Sequence, residues 1–200
     1  MSRFFQWFPW AAAVLLAALL VTVSLQKRDI NRFVAEHRRA DQVAQPGDYV
    51  PTFAGVGTNG ETITVGRTNS EDARQVVFLL TAECQFCRRT LPSWTAIAEA
   101  LATSRSPAVQ VIALTTDSLP VARAFADSLE LRFPLVPFPE RKLVALTRAR
   151  IVPQTLVLNS EGRVLYSRRG ELNTRAAVDS VVAAARRSSP ASRGQVQASQ

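Results

Sequence analysis

The apolar positions along the chain change period several times, and each change predicts an element. From Phe8 to Leu25, eighteen residues carry no charge. At about 1.5 Å rise per residue, an apolar helix of that length approaches the ~30 Å hydrocarbon core of a bilayer. Trp7 and Trp10 stand at one end, where aromatic rings favour the headgroup layer, and Lys27 and Arg28 close the other. A cleaved leader has a shorter apolar stretch followed by a small-x-small site, and Val23-Ser24-Leu25-Gln26 is a poor one. Residues 1–26 are therefore expected to be an uncleaved transmembrane anchor. Residues 27–46 are polar with scattered Ile30, Phe33, Val34 and Val43, which suits a stalk ending at the punctuation Pro46-Gly47.

Beyond the stalk, periods of two and 3.6 alternate. Asn59-Gly60 is a turn signal, and the alternating Thr62-Ile63-Thr64-Val65 after it completes a hairpin with the Phe53 segment. Val76–Leu80 and Val109–Leu114 are continuous apolar runs of the kind found in strands buried on both faces. Between them, Leu91, Trp94, Ile97, Ala98 and Leu101 repeat at helical spacing, predicting a helix over about 85–103. A second helix is expected after Ser118, with Pro120 in its first turn and Val121, Phe125 and Leu129 on one face. Leu135-Val136 reads as a short extended piece and 141–150 as a short helix. Thr155–Leu158 and Val164–Tyr166 pair across the turn at 159–162, and a last helix spans about 174–185. Strands alternating with helices and closing on an antiparallel hairpin predict an α/β domain over 47–185, with a mixed sheet covered on both faces. The stretch 186–200 lacks large hydrophobes except Val196 and is expected to be a disordered tail.

Composition narrows the function. With 47% hydrophobic and 20% charged residues the chain is neither a disordered polymer nor a collagen-like repeat. The net charge of +8 at first suggests nucleic acid, but segments 27–39 and 186–200 each carry +3 and Arg3 adds one, leaving +1 for residues 40–185. A nucleic-acid footprint needs a basic stripe on the folded body, so no nucleic-acid partner is expected. The five cations just after the apolar run, against Arg3 before it, would by the positive-inside tendency hold the body in the cytoplasm.

The two cysteines form Cys84-Gln-Phe-Cys87, where the first buried strand turns into a helix. Cysteines at i and i+3 on a first helical turn share a face and can approach disulfide distance. The free N–H groups and the dipole of a helix start favour a thiolate on the first sulfur, which is the attacking species; the second cysteine then resolves the mixed disulfide. A structural disulfide closing so short a loop would constrain the unfolded chain little. Copper(I) is an alternative because thiolates suit it, but a third ligand is wanted and the single histidine, His37, falls in the stalk. No metal and no bound cofactor are expected.

These residues resemble the TlpA/ResA-like thiol–disulfide oxidoreductases, anchored members of the thioredoxin superfamily. The resemblance rests on Pro51-Thr52-Phe53 with the Gly60 hairpin, on 76–94 with Cys84, Cys87 and Pro92, and on Val152-Pro153-Gln154-Thr155 with Gly162, and it spans most of 47–185. It implies a thioredoxin-like fold, a cis Val152-Pro153 peptide facing the cysteines, and backbone there that pairs with an extended partner. It also implies a domain outside the cytoplasm, on a single-pass anchor in the cell membrane, reducing protein disulfides with electrons from an unidentified donor. Three departures matter. Glu83 replaces the usual Trp before the first cysteine, opposing a thiolate that Arg88 and Arg89 can offset. Phe78 stands where thioredoxins bury an acid, so Glu83 or water would serve as base. Gln85-Phe86 replaces the familiar proline-containing dipeptide. A competing resemblance is to peroxiredoxins: Thr81 lies three residues before Cys84 as in their motif, although Val77 stands where they carry proline.

Overall fold

The computed structural model describes residues 16, 18–28, 43–70, 72–103 and 108–187. The chain divides into two compact units, 1–41 and 42–200. In the first, residues 18–28 are helical and exposed along their length. Among the described residues no helix is long and apolar enough to cross a membrane. Most of the expected anchor, residues 29–42 of the expected stalk with His37, and the tail beyond Arg187 lie outside the described residues; Val43 and Ala44, given to the stalk, are buried in the second unit.

The second unit opens with the expected hairpin, β1 (Phe53–Val56) against β2 (Thr62–Val65), with Phe53 opposite Val65. A five-stranded sheet follows, in the order β5-β4-β3-β6-β7. Its strands are β3 (Arg74–Leu80), β4 (Val109–Thr115), β5 (Leu135–Pro137), β6 (Gln154–Leu158) and β7 (Val164–Arg169). β3, β4 and β5 run parallel, whereas β6 is antiparallel to both β3 and β7. Among the described residues of this unit, α1 (Gln85–Ala102), α2 (Leu119–Ser128) and α3 (Arg141–Leu146) connect strands, and α4 (Arg175–Arg186) follows β7. β3 is central and buried at every position, which is why its sequence carries no alternation.

The sheet splits the core in two because successive side chains point to opposite faces. Val76, Phe78, Leu80, Ala113, Leu135 and Val157 face Leu91, Trp94, Ile97 and Leu101 of α1, with α2 and α4 alongside. Val77, Leu79, Ile112, Leu114, Val136, Leu156 and Leu158 face the hairpin and Leu143 of α3. Phe78 stacks on Trp94 with centroids 4.9 Å apart, and the indole Nε1 donates to Thr155 Oγ1 at 2.9 Å. This bond ties α1 to β6.

Several expectations need correcting. The buried face of α2 is Ala122, Phe125 and Ala126, whereas Val121 and Leu129 are 47% and 39% exposed. Phe125 meets the core as its spacing predicts, but its companions there are Ala122 and Ala126, not Val121 and Leu129. Ser118 is the N-cap but makes no side-chain capping bond. The helix expected to run to Arg150 stops at Leu146: Thr147 Oγ1 turns back to Leu143 O at 2.6 Å, and Arg148 takes φ +52°. Strand β7 runs to Arg169 rather than stopping at Tyr166. It lies at the sheet edge, where a polar face is solvated and apolar alternation fades. Arg186, assigned from the sequence to the tail, is the last residue of α4.

Candidate active site

Strand β3 ends at Leu80, and the turn 81–84 delivers the chain into α1. Cys84 is the N-cap residue, partly exposed, with extended backbone at φ −75° and ψ 104°. Its Sγ accepts the Cys87 N–H at 3.2 Å. The first turn of a helix leaves such N–H groups unpaired, and here the sulfur takes one of them. Cys87 is fully buried in the core beside Leu91 and Trp94. Both cysteines are free.

The turn is clamped at Ala82 from two sides. Its N–H donates to Asp117 Oδ2 at 2.7 Å, and its carbonyl accepts Nε and Nη2 of Arg88 at 3.2 and 3.1 Å. Thr115 Oγ1 donates to the same Asp117 oxygen at 2.8 Å and accepts the Asp117 N–H, fixing the carboxylate at the end of β4. The Arg88 guanidinium also lies over the Phe125 ring, 5.5 Å from its centroid. Arg88, singled out as a charge to offset Glu83, is thus a brace of the turn. Arg89 is engaged elsewhere: it pairs with Glu171 at 2.8 Å and covers Phe86 at 4.7 Å.

Burial pushes the Cys87 thiol well above its ordinary value. The bond to Cys84 and the charges of Cys84 and Asp117 push the same way, while a hydrogen bond with the Thr81 backbone opposes them. Asp117 is therefore the carboxylate whose field reaches the second sulfur, a residue that sequence reasoning missed. Glu83, offered from the sequence as a base, is exposed and has no side-chain partner among the described residues. A signal for Asp117 was present: it lies two residues past a buried parallel strand, next to the strand that leads into the cysteines. In open α/β sheets ligands gather at the carboxyl ends of such strands.

The peptide between Val152 and Pro153 is cis. It shares a cleft of about 530 Å³ with Phe86, the residue just before Cys87, and with Arg168, Arg169 and Glu171. Pro153 O accepts the Gly170 N–H at 2.8 Å, and the buried Gln154 Nε2 holds the preceding loop through Arg148 O and Ile151 O. Neither the N–H nor the C=O of Val152 has a partner among the described residues. Phe86, between the two cysteines, and the Val152–Pro153 loop thus line one cleft, and Cys84 and Val152 pack against the same core cluster. Among the described residues no group of three or more His, Cys, Asp or Glu side chains converges to hold a metal ion.

No curated protein matches the sequence. Solved structures of similar fold include StoA from Bacillus subtilis, at 16% identity and TM-score 0.55, covering 68% of this chain and 96% of that one. A candidate thiol:disulfide interchange protein DsbE from Chlorobium tepidum aligns at 21% identity and TM-score 0.58, covering 70% and 98%. Peroxidoxin BcpB from Mycobacterium tuberculosis aligns at 19% identity and TM-score 0.55, covering 71% and 96%. These identities establish the fold, a thioredoxin-like mixed sheet flanked by helices. Residues 46–167, more than half of the chain, match the AhpC/TSA family, and with its thioredoxin-like fold this redox protein belongs to that family.

Proposed function

We propose that the protein is a TlpA/ResA-like thiol–disulfide oxidoreductase that reduces disulfides in protein partners, with Cys84 attacking and Cys87 resolving. The observation that carries this reading is the asymmetry of the pair. Cys84 is partly exposed at the N-cap with a backbone donor on its sulfur, and Cys87 is buried with its proton held tightly. The thiolate of Cys84 attacks one sulfur of a partner disulfide, forming a mixed disulfide and releasing the other partner sulfur as thiolate. Cys87 then loses its proton and attacks Cys84 Sγ. The bond to the partner breaks, its second thiolate leaves, and Cys84–Cys87 becomes the disulfide. The partner has gained two electrons, which a separate dithiol donor must restore to the protein. Val152, with its unpaired backbone beside Pro153, is placed to pair with the extended segment around the partner cysteine.

The location follows from the amino-terminal pattern. Residues 8–25 anchor the chain in the cell membrane, and the domain works on the extracytoplasmic side, against the count of flanking cations, because disulfides persist in an oxidising compartment. Expression of Cys87→Ser in cells should trap partners on Cys84 as reductant-sensitive adducts that Cys84→Ser does not form. Absence of adducts under oxidising conditions would count against the reading.

One observation favours a second reading. The family match and the peroxidoxin neighbour go with Thr81, whose carbonyl accepts the Cys84 N–H at 3.2 Å. As a peroxide reductase, Cys84 would take one peroxide oxygen to give a sulfenic acid and an alcohol or water, and condensation with Cys87 would release water. Peroxide consumption by the purified protein with a thiol donor, faster than disulfide exchange, would place this reading first.

A further inference from the structure

The cleft lined by Phe86, the residue between the two cysteines nearest Cys87, has two unlike walls. One is apolar, built from Val152, Pro153 and Phe86, which is 46% exposed despite being aromatic. The other carries Arg168 and Arg169 at the end of β7. Glu171 is the cleft's carboxylate, and Arg89 already occupies it. Neither Arg168 nor Arg169 has a side-chain partner among the described residues, and Arg168 Nε is buried without an acceptor. A guanidinium presents donors in a planar fork that matches a carboxylate.

We propose that this cleft selects partners by charge: the target cysteine lies in an extended segment with an Asp or Glu a few residues away, whose carboxylate meets Arg168 and Arg169. The inference rests on the reading of Cys84 as the attacking thiol. The extended form follows from the unpaired N–H and C=O of Val152, which offer one rung of backbone pairing at the cleft floor. An apolar residue of the same segment covers Phe86. A polyanion such as nucleic acid fits less well, because the body carries only +1 over residues 40–185 and the two guanidiniums form a local spot, not a stripe.

The test uses the full chain carrying Cys87→Ser, reduced, and three symmetric peptide disulfides identical except for an Asp, Ser or Lys near the cysteine. Cys84 thiolate attacks either equivalent sulfur; one peptide stays bound as the mixed disulfide and one leaves as thiolate, taking a proton from solvent. Rates of adduct formation are read by intact mass. At low salt the Asp peptide should react about tenfold faster than the Ser peptide and the Lys peptide slower still, with the gap closing as salt is added. Arg168→Gln with Arg169→Gln should bring the Asp-to-Ser ratio near one, Arg169→Glu should move the preference toward the Lys peptide, and Arg132→Gln, outside the cleft, should leave the ratio as it was. Equal rates for all three peptides in the unaltered cleft would overturn the inference. Hydroxyethyl disulfide, small and uncharged, separates the two levels of failure. If it forms the Cys84 adduct while the peptides show no preference, the charge reading alone falls. If neither it nor any peptide reacts, the oxidoreductase reading falls and takes the inference with it.

Discussion

Cys87 is the residue at which local chemistry and stability meet. Its proton is held more tightly in the folded chain than in the unfolded one, chiefly because the sulfur is buried. The folded value is raised, so the stabilisation is full below the ordinary thiol value of 9.0 and erodes as pH climbs above it. The expected loss approaches about 1.4 kcal/mol per pH unit in the reduced protein. Urea unfolding between neutral and alkaline pH checks this: Cys87→Ala should show a shallower alkaline decline than the native sequence, and identical slopes would refute it. Asp117 acts on the same sulfur by its charge. Asp117→Asn should move the pH dependence of mixed-disulfide resolution downward, since a negative charge that holds the Cys87 proton in place is gone. Slower resolution at every pH, with no shift, would instead make Asp117 the proton acceptor. Neither role could be read from the sequence, because Asp117 is 30 residues from Cys87 in the chain. Only the parallel pairing of β3 and β4 brings the two together.

At the scale of elements, the apolar patterns that specify buried strands and the inner face of α1 were legible, and those at edges were not. Leu91, Trp94, Ile97, Ala98 and Leu101 line the core side of α1 as their spacing predicts. On α2 the spacing identified Phe125 but not its buried companions, because Val121 and Leu129 outweigh Ala122 and Ala126 in any periodicity count. The polar end of β7, missed for lack of apolar alternation, is also the part that brings Arg168 and Arg169 to the cleft. Trp94 tests the core account. Trp94→Phe removes the donor to Thr155, leaves that buried hydroxyl unpaired and opens space against Phe78. It should cost about 2 kcal/mol in denaturant unfolding; a change below about 0.5 kcal/mol would show that the bond between α1 and β6 carries little. Gly162 tests the hairpin. At φ +82°, with a Cβ position 2.9 Å from Val50 O, Gly162→Ala should cost about 1–3 kcal/mol by strain and crowding.

For the whole molecule, the composition of the first 46 residues leads to the expectation of an anchor and a stalk ahead of the folded body. Its consequence in a cell is open to direct measurement. The full chain should remain with membranes through an alkaline wash, and an impermeant maleimide should reach Cys84 in intact cells after mild reduction. Labelling only after lysis would mean that the five cations behind the apolar run set the orientation. The redox claim is independent of that result, since it depends on the order in which two sulfurs act. The most direct measurement is therefore intact-mass and peptide mapping of the reduced full chain during a single turnover with a peptide disulfide. The account predicts a transient adduct on Cys84, followed by free peptide thiol and a chain lighter by two hydrogens with Cys84 joined to Cys87. An adduct that maps to Cys87, or one on Cys84 that Cys87 never displaces, would contradict it.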